Sequence, residues 1–373
     1  MKILFTGDYC PSGRMLDYFK KRDFYAAFGE VKQLNDKVDY SVVNFESNVA
    51  LESDKPIKKS GPCLKCDESG VEAIKWAGFD LLCLANNHFR DYGDSAVKRT
   101  IESASKNGLD IVGGGFNIDS ASKTFYKTIK GVKIGFINVC ENEFSIATEK
   151  RGGSNPLNPI KQYYDIREAR KKADKVFVIV HGGHEHCQEP SIRMKQVYRF
   201  FIDAGADVVI NHHQHCYCSY EVYKGKPIFY GLGNFCFDKL NDKLPDSWCY
   251  GYVVIISIDE VVTFEIIPYE QCTKERPSIH FLDVKDEFYK QLDNLNNILA
   301  DDNKLKDYLY TFYDKNPVIG ITIPVLYRHW NRLRKYVQKH LNPEWYFHLR
   351  DYILCESHND RISYELEKTI NNK

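Results

Sequence analysis

The sequence has no surplus of charge of either sign, because 51 Lys and Arg residues balance 51 Asp and Glu residues. Proteins that bind nucleic acid usually carry a net basic patch or tail, so we expect no nucleic-acid partner. Long apolar runs are also lacking. The runs at 175–180 and 252–258 fall far short of the roughly 18 to 20 residues that span a bilayer. We therefore expect no transmembrane segment.

The first residues lack the charged leader, apolar stretch and small-residue cleavage site of a secretory signal, so a cytoplasmic protein is the default expectation. The 12 cysteines lack the spacing of a small disulfide scaffold, which indicates reduced, partly buried thiols. Two close pairs, Cys63 with Cys66 and Cys216 with Cys218, could bind zinc or be redox active. A structural zinc site normally needs a second pair at matching spacing, which disfavours zinc at either pair.

Short apolar runs alternate with helical patterns through the first 215 residues. The predicted strands lie at 2–7, 40–45, 79–85, 111–113, 175–180 and 207–210. Helical spacing covers 94–108, which begins with a predicted capping residue, Asp94, and also covers 191–205. This alternation favours an α/β architecture.

Hairpin signals are added from about residue 125 onward. Predicted turns fall at Lys130-Gly131, at Lys224-Gly225 and near 259–260. A purely doubly wound fold would lack these hairpins. A mixed two-sheet sandwich flanked by helices therefore fits better.

The composition changes after about residue 275 to Asp, Asn, Lys, Leu and Tyr in helical spacing. We predict a first domain over 1–275 and a mainly helical extension over 276–373, without further strands. Within the extension, an apolar stretch at 318–326 adjoins Arg and Lys residues up to position 335. Such a segment could make peripheral contact with a membrane surface, although packing against the first domain is the favoured interpretation.

Seven of the 12 histidines lie between positions 88 and 215, and several directly follow predicted strands. Ligands of open α/β sheets bind beyond the carboxyl ends of the strands, where loops converge. The polar residues that follow predicted strands are Asp8, Glu46, Asn87, His88, His181, His213 and His215. Taken singly, Asp8 could cap a turn and Asn87 could be a turn residue. Together the set predicts a metal site.

Oxygen ligands mixed with imidazoles suit Mn, Fe or Zn. Two divalent ions that share one carboxylate, that of Glu46, would lie about 3.5 to 4 Å apart, as in two-metal phosphatases. His88 could protonate the leaving oxygen, and Arg14 could grip a phosphate or a carboxylate. The weaker candidates for the site are His184, His186 and His212, and Glu185 could support a ligand or contact the substrate.

At these residues the chain resembles the bacterial capsule synthesis family called CapA or PGA_cap, within the calcineurin-like metallophosphoesterase superfamily. The resemblance covers roughly residues 2–240 in the family's order. Its blocks are Gly7-Asp8 with Arg14, 43–46, 85–88 with 91–93, 112–115, 181–185, 207–215 and 230–235. So many blocks in one order make the match specific.

The resemblance implies a four-layer αββα sandwich, a dinuclear metal site and a link to poly-γ-glutamate or other surface-polymer biosynthesis. The implied metal ligands are Asp8, Glu46, Asn87, His181, His213 and His215. The implied catalytic group is His88 with Asp91 and Arg14, and Asn234 in the last block is a further candidate. Cys10 departs from the pattern, because the broader phosphoesterases have a histidine there. A thiolate ligand or a weakly held ion is therefore expected at that metal position.

Three functions are compatible with these residues. The first is a phosphomono- or phosphodiesterase that acts on a phosphorylated precursor or polymer of surface-glycan synthesis. The second keeps the metals but hydrolyses or transfers a γ-glutamyl amide, with Arg14 holding a carboxylate. The third is a non-catalytic scaffold that binds the polymer or a polymer-synthesis protein through the extension. The complete ligand set favours an enzyme, whereas Cys10 keeps the scaffold open.

Overall fold

The computed structural model describes residues 1–239, 244–317 and 343–371. In chain order the strands are β1 (Lys2–Cys10), β2 (Tyr40–Phe45), β3 (Leu81–Cys83), β4 (Asp110–Val112), β5 (Gly114–Gly115), β6 (Phe125–Ile129), β7 (Val132–Cys140), β8 (Gly153–Ser154), β9 (Lys175–His181), β10 (Val208–His212), β11 (Tyr220–Tyr223), β12 (Lys226–Phe229), β13 (Asn234–Phe237), β14 (Tyr250–Ile258), β15 (Val262–Glu270) and β16 (His280–Phe281). The helices are α1 (Met15–Lys20), α2 (Phe24–Phe28), α3 (Val31–Asn35), α4 (Glu68–Trp76), α5 (Gly93–Lys106), α6 (Ile118–Ala121), α7 (Pro159–Lys172), α8 (Ile192–Ala204), α9 (Asp286–Leu299), α10 (Asp302–Lys315), α11 (Pro343–Leu354) and α12 (Glu356–Asn371). A short 3₁₀ helix spans Asp246–Cys249.

Two sheets form the centre of the fold. The larger runs in the order β16-β15-β14-β1-β2-β3-β4, with β13 added beside β1. Strands β1 to β4 are parallel, and β14 to β16 extend the sheet through antiparallel pairs. The smaller sheet runs in the order β11-β12-β10-β9-β7-β6, with parallel strands at its centre and an antiparallel hairpin at each edge.

Side chains that alternate along each strand divide the core into layers. On β1, Ile3 and Phe5 are buried between the two sheets, whereas Leu4 packs against the helices outside the larger sheet. On β9, Phe177 lies between the sheets and Val178 packs on the outer side of the smaller sheet. Helices outside each of two facing sheets form a four-layer αββα sandwich, which confirms the predicted fold class.

The three predicted hairpins are present. Lys130 and Gly131 join β6 to β7 with φ of 46° and 84°, and Lys224 and Gly225 join β11 to β12 with φ of 51° and 76°. Positive φ at both central residues matches the twist of the flanking strands. The third turn, at 259–261, joins β14 to β15.

Both helices predicted in the first domain are present, and one predicted cap is wrong. Helix α8 begins after Ser191, whose side chain accepts a hydrogen bond from the Met194 N–H. Helix α5 begins at Gly93, so Asp94 lies inside the first turn, where it pairs with Arg90 at 3.2 Å. An acidic residue stabilises a helix N-terminus both at the capping position and within the first turn. The sequence pattern alone therefore does not show which of these positions Asp94 occupies.

The chain after residue 275 packs on the same sandwich. Helix α9 buries Phe288 and Leu292 between the sheets, and α10 buries Leu305 and Leu309 outside the smaller sheet. Strand β16 pairs with β15 in a segment predicted to have no strand. The prediction missed it because a two-residue strand is too short to show alternation of apolar and polar residues. The boundary at residue 275 stays a prediction.

The predicted amphipathic segment at 318–335 lies outside the described residues. Among the helices of the described ranges, none combines the length and the apolarity needed to cross a bilayer.

Candidate metal centre

Strand ends from both sheets meet at one place in the fold. Asp8 lies in β1 in register with Asn234 of β13, and Glu46 directly follows β2. In the smaller sheet, β9 ends at His181 and β10 ends at His212. Loops after β3 and β10 add Asn87, His88, His213 and His215. The carboxyl ends of the strands therefore gather the polar residues, as expected for α/β sheets.

Two groups of potential ligands share the carboxylate of Glu46. One contains Asp8, Glu46 and His215, and the other contains Glu46, His181 and His213. Within each group, one candidate ligand atom from every residue lies within 4.8 Å of the others. We call the first group the first metal position and the second group, with Asn87, the second metal position.

Glu46 lies between histidine nitrogens. Its Oε1 is 3.6 Å from His215 Nε2, 3.7 Å from His181 Nε2 and 3.9 Å from His88 Nε2. The residue is fully buried, and neither carboxylate oxygen has a hydrogen-bond partner in the part of the chain that the structure describes. Burying an unpaired carboxylate is costly, and burial together with Asp8 holds the pKa of Glu46 well above its usual range. Bound cations would supply the partner that both oxygens lack, so the residues fit a metal centre.

Asp8 is held in place by two donors. The Asn44 side chain donates to Oδ1 at 2.7 Å, and the backbone N–H of His213 donates to Oδ2 at 3.0 Å. Burial nevertheless raises the pKa of Asp8 to about 6. The Asp8 carboxylate is thus held in a fixed orientation by uncharged donors, and a bound cation would stabilise its negative charge.

Burial favours the metal-binding form of two of the histidine ligands, His181 and His215. Burial lowers the pKa of His215 to about 3 and that of His181 well below its usual range, and neutral imidazole is the ligating species. Asn234 Oδ1 lies 3.0 Å from His215 Nδ1, which turns the other ring nitrogen toward Glu46. His213 and His215 have φ of 97° and 57°, and backbone strain of this kind clusters at functional sites.

Asn87 belongs to the second metal position, and Glu143 lies directly outside it. Asn87 Oδ1 lies 3.1 Å from His181 Nε2, and Asn87 Nδ2 donates to Glu143 Oε2 at 3.2 Å. Glu143 Oε1 is 3.8 Å from His213 Nε2. Sequence reasoning missed Glu143, although it follows the end of β7 as the other candidates follow their strands.

His88 belongs to a buried hydrogen-bond network beside the carboxylate of Glu46. Its Nδ1 is 2.6 Å from Asp91 Oδ2, and Asp91 also accepts from Lys59 Nζ at 2.5 Å and from the Leu64 N–H at 2.7 Å. Burial and the charge of Lys59 lower the pKa of His88. Lys59 was missed because nothing in its local sequence distinguishes it from the neighbouring lysines.

Two of the weaker candidates lie beside the centre. His212 Nδ1 is 3.5 Å from Asp8 Oδ1. Glu185 is exposed to solvent and lies within electrostatic range of His215 and His213. Both residues are therefore close enough to influence a bound ion.

Three other predicted residues, His184, Cys10 and Arg14, make their main contacts with protein groups other than the six ligand candidates. His184 Nε2 is 2.9 Å from the Tyr313 hydroxyl of α10. Cys10 packs with Phe237 and Trp248, and its thiol pKa is raised well above the usual range by burial and by Glu46. Cys10 is absent from the ligand groups found among the described residues, and the expected thiolate ligand stays a prediction.

Arg14 is engaged by protein groups. Its Nη2 lies 2.8 Å from Asp238 Oδ1, and the guanidinium also donates to the carbonyls of Thr273 and Lys274. None of these contacts involves the six ligand candidates within the described chain. Its role toward a substrate stays a prediction, and the geometry gives it a structural one.

A comparison with protein families identifies the chain. The model of the family described as "Bacterial capsule synthesis protein PGA_cap" matches residues 2–239. The chain belongs to the PGA_cap family. All six ligand candidates and His88 lie inside the matched residues, whereas helices α9 to α12 lie outside them.

Curated relatives of this PGA_cap chain match over part of their length. Capsule biosynthesis protein CapA of Bacillus anthracis is 38% identical over 217 residues, which cover 56% of this chain and 53% of the relative. PGA biosynthesis protein CapA of Bacillus subtilis strain 168 is 34% identical over 247 residues, or 65% of each chain. The chain thus spans about half to two thirds of the length of these relatives.

Among solved structures, a 5'-nucleotidase precursor from Thermus thermophilus is 12% identical to this PGA_cap chain, with a TM-score of 0.42 over 84% of this chain and 59% of that one. The fold class rests on the sheets and layers described above.

A third group of potential ligands, Glu141, Cys355 and Glu356, is already satisfied by protein donors. Arg193 Nη2 donates to Glu141 at 2.7 Å, and the Ser357 N–H donates to its other oxygen at 3.3 Å. Glu356 accepts from the backbone of Asn142 at 2.8 Å. The group joins α12 to the first domain and needs no ion.

Proposed function

We propose that this PGA_cap protein is a dinuclear metal-dependent hydrolase of phosphoester bonds, acting in the biosynthesis of capsule or another surface polymer. The observation that carries the proposal is Glu46, whose two buried carboxylate oxygens lack partners among the described residues and lie between two groups of ligands. A mixed set of oxygen and imidazole donors suits Mn, Fe or Zn.

The chain's own residues divide into two metal positions and one proton donor. Asp8, Glu46 and His215 would hold one ion, and the second position would use the shared carboxylate of Glu46 with Asn87, His181 and His213. Bound divalent ions would polarise a phosphoryl oxygen and activate water. The protein's contribution is to fix the ligands and exclude bulk water, since every one of these residues is buried.

His88 is placed to give a proton to the leaving oxygen. Asp91 holds the Nδ1 side of the ring at 2.6 Å, which leaves Nε2 facing Glu46. When the ring takes up a second proton on Nε2, that proton points toward the metal positions, where a bound phosphoester would place its leaving group, and its transfer returns His88 to the neutral form. Lys59, paired with Asp91 at 2.5 Å, fixes the position of that carboxylate.

The names of two relatives favour a second candidate function. One is a PGA biosynthesis protein, and a Mycobacterium tuberculosis relative, 24% identical over 213 residues, is a probable polyglutamine synthesis accessory protein. The same metal centre would then hydrolyse or transfer a γ-glutamyl amide of a carboxylate-bearing polymer.

Metal content and turnover, measured together, test the proposal. Protein purified without chelator is analysed for bound Mn, Fe and Zn and is assayed on aryl phosphate mono- and diesters. The variants are His88→Ala and His213→Ala, with His280→Ala in β16 as a matched control. We expect two metal equivalents in the wild type, one fewer in His213→Ala, and a loss of turnover of about 10²- to 10⁴-fold in His88→Ala with both metals retained.

The alternatives give different results. Two bound metals without phosphatase activity, but with cleavage of a γ-glutamyl peptide, would establish the second function. Stable wild-type protein that binds no divalent metal would overturn both functions and leave a non-catalytic scaffold.

A further inference from the structure

Glu143 and the two C-terminal helices are linked to the second metal position. We infer that Glu143 is a positioning residue that orients two ligands of that position, Asn87 and His213, and that α11 and α12 hold the loop that carries it. The inference rests on the proposed metal centre and extends it to chain outside the residues matched by the family.

One carboxylate faces both ligands from outside. Glu143 Oε2 accepts a hydrogen bond from Asn87 Nδ2 at 3.2 Å, and Asn87 Oδ1 points inward to 3.1 Å from His181 Nε2. Glu143 Oε1 lies 3.8 Å from His213 Nε2, while His213 Nδ1 faces inward at 3.0 Å from the same His181 nitrogen. Glu143 therefore hydrogen-bonds the outer atom of Asn87 and lies near the outer nitrogen of His213, while the inner atoms of both ligands face the metal position.

This arrangement matches the way proteins orient metal ligands. A ligating histidine usually gives its other ring N–H to a carboxylate, which fixes the tautomer and the ring direction. An amide ligand has a similar need, because its oxygen and nitrogen exchange places when the side chain turns over. Glu143 meets the need of Asn87 by a direct hydrogen bond, and it lies next to the outer nitrogen of His213 at 3.8 Å, beyond hydrogen-bond distance. Its side chain is only 14% exposed.

The loop after β7 is held by the C-terminal helices. Asn142 donates its backbone N–H and its side-chain amide to the two carboxylate oxygens of Glu356, at 2.8 Å and 2.5 Å. On the other side of Glu143, the Phe144 ring lies against Phe347 with ring centroids 6.4 Å apart. The Arg350 guanidinium lies 5.1 Å from the centroid of the same Phe144 ring. Both neighbours of Glu143 are thus bound to α11 or α12.

The helices are themselves tied to the first domain close to this loop. Arg193 of α8 bonds Asp360 of α12 at 3.0 Å and Glu141 at 2.7 Å. Ser60 donates to Asp351 of α11 at 3.2 Å. The helices are therefore anchored on the same surface as the Glu143 loop, and their packing sets its position.

Metal binding, rather than turnover, tests the inference. The number of bound Mn²⁺ equivalents and their Kd values are measured by calorimetry for wild type, Glu143→Gln and Glu356→Gln. Glu367→Gln is the matched control, because Glu367 is an exposed glutamate of the same helix. Unfolding of each variant in chelator shows whether the apo fold is intact.

We expect Glu143→Gln to weaken one of the two equivalents by about 10- to 100-fold and to leave the other unchanged. A glutamine keeps the volume but presents an amide N–H to the donor of Asn87 or His213. Glu356→Gln should weaken the same equivalent by a smaller factor, and Glu367→Gln should match the wild type.

Two results would overturn the inference. One is wild-type affinity at both positions in Glu143→Gln, and the other is equal weakening of both equivalents together with an unstable apo protein, which would mark a merely structural residue. A wild type without bound metal would instead overturn the proposed function, so the two failures are distinguishable.

Discussion

Replacing Glu46 by glutamine should stabilise the metal-free protein and abolish its stabilisation by metal. The carboxylate is fully buried without a partner among the described residues. In chelator at pH 8, folding must therefore either bury its charge or protonate it, and both cost free energy. Asp8, buried at the same place, gives the scale: burial raises its pKa from 3.8 to about 6, which is worth about 3 kcal/mol at about 1.4 kcal/mol for each pH unit.

The neutral amide that replaces the carboxylate is also buried, at a cost of about 1 kcal/mol. We therefore expect Glu46→Gln to raise the free energy of unfolding in chelator at pH 8 by about 2 kcal/mol. Bound metal should reverse the order of stability of the two proteins. At a free concentration of 100 times Kd, an ion adds about 2.7 kcal/mol to the wild type, but little to a variant that lacks the shared ligand.

Urea unfolding at pH 8, in chelator and then in excess Mn²⁺ or Zn²⁺, measures both effects. The two proteins should exchange order: the variant is the more stable in chelator, and the wild type is the more stable in metal. A variant that is less stable than the wild type in chelator, or that gains as much from metal, would refute the reasoning about Glu46.

Three further predictions concern groups outside the metal positions. Burial raises the pKa of Glu189 from 4.5 to about 8. The folded protein therefore binds this proton more tightly than the unfolded chain, and the free energy of unfolding should fall as the pH rises from 4.5 to about 8. Glu189→Gln should flatten that dependence in urea unfolding measured from about pH 5 to 9. Arg193→Met should cost about 3 to 5 kcal/mol at pH 7, because Glu141 would be left buried without its ion pair, and a cost below 1 kcal/mol would contradict this. Arg14→Lys should lower stability by about 1 kcal/mol through the pair with Asp238, without changing KM for aryl phosphates; a raised KM would restore the predicted substrate contact.

The sequence predicts the sandwich well because its signals are local. Apolar runs and the two Lys-Gly turns depend only on neighbouring residues, and they place the strand ends where Asp8, Glu46 and His181 lie. Once those ends are known, convergence of the ligands follows from the geometry of parallel strands.

The parts that could not be predicted depend on contacts between distant segments. Glu143 meets Asn87 across 56 positions, and Lys59 meets Asp91 across 32, so no spacing in the chain announces either contact. Arg14 stands in a block that resembles the family, yet its guanidinium is taken up by Asp238, 224 positions away.

The most direct test of the account is the anomalous scattering of crystals grown with Mn²⁺. We predict two peaks about 3.5 to 4 Å apart, with Glu46 between them, one beside Asp8 and His215 and the other beside His181 and His213. Crystals that show no peak at Glu46, although Mn²⁺ is present in excess, would contradict the proposed dinuclear centre.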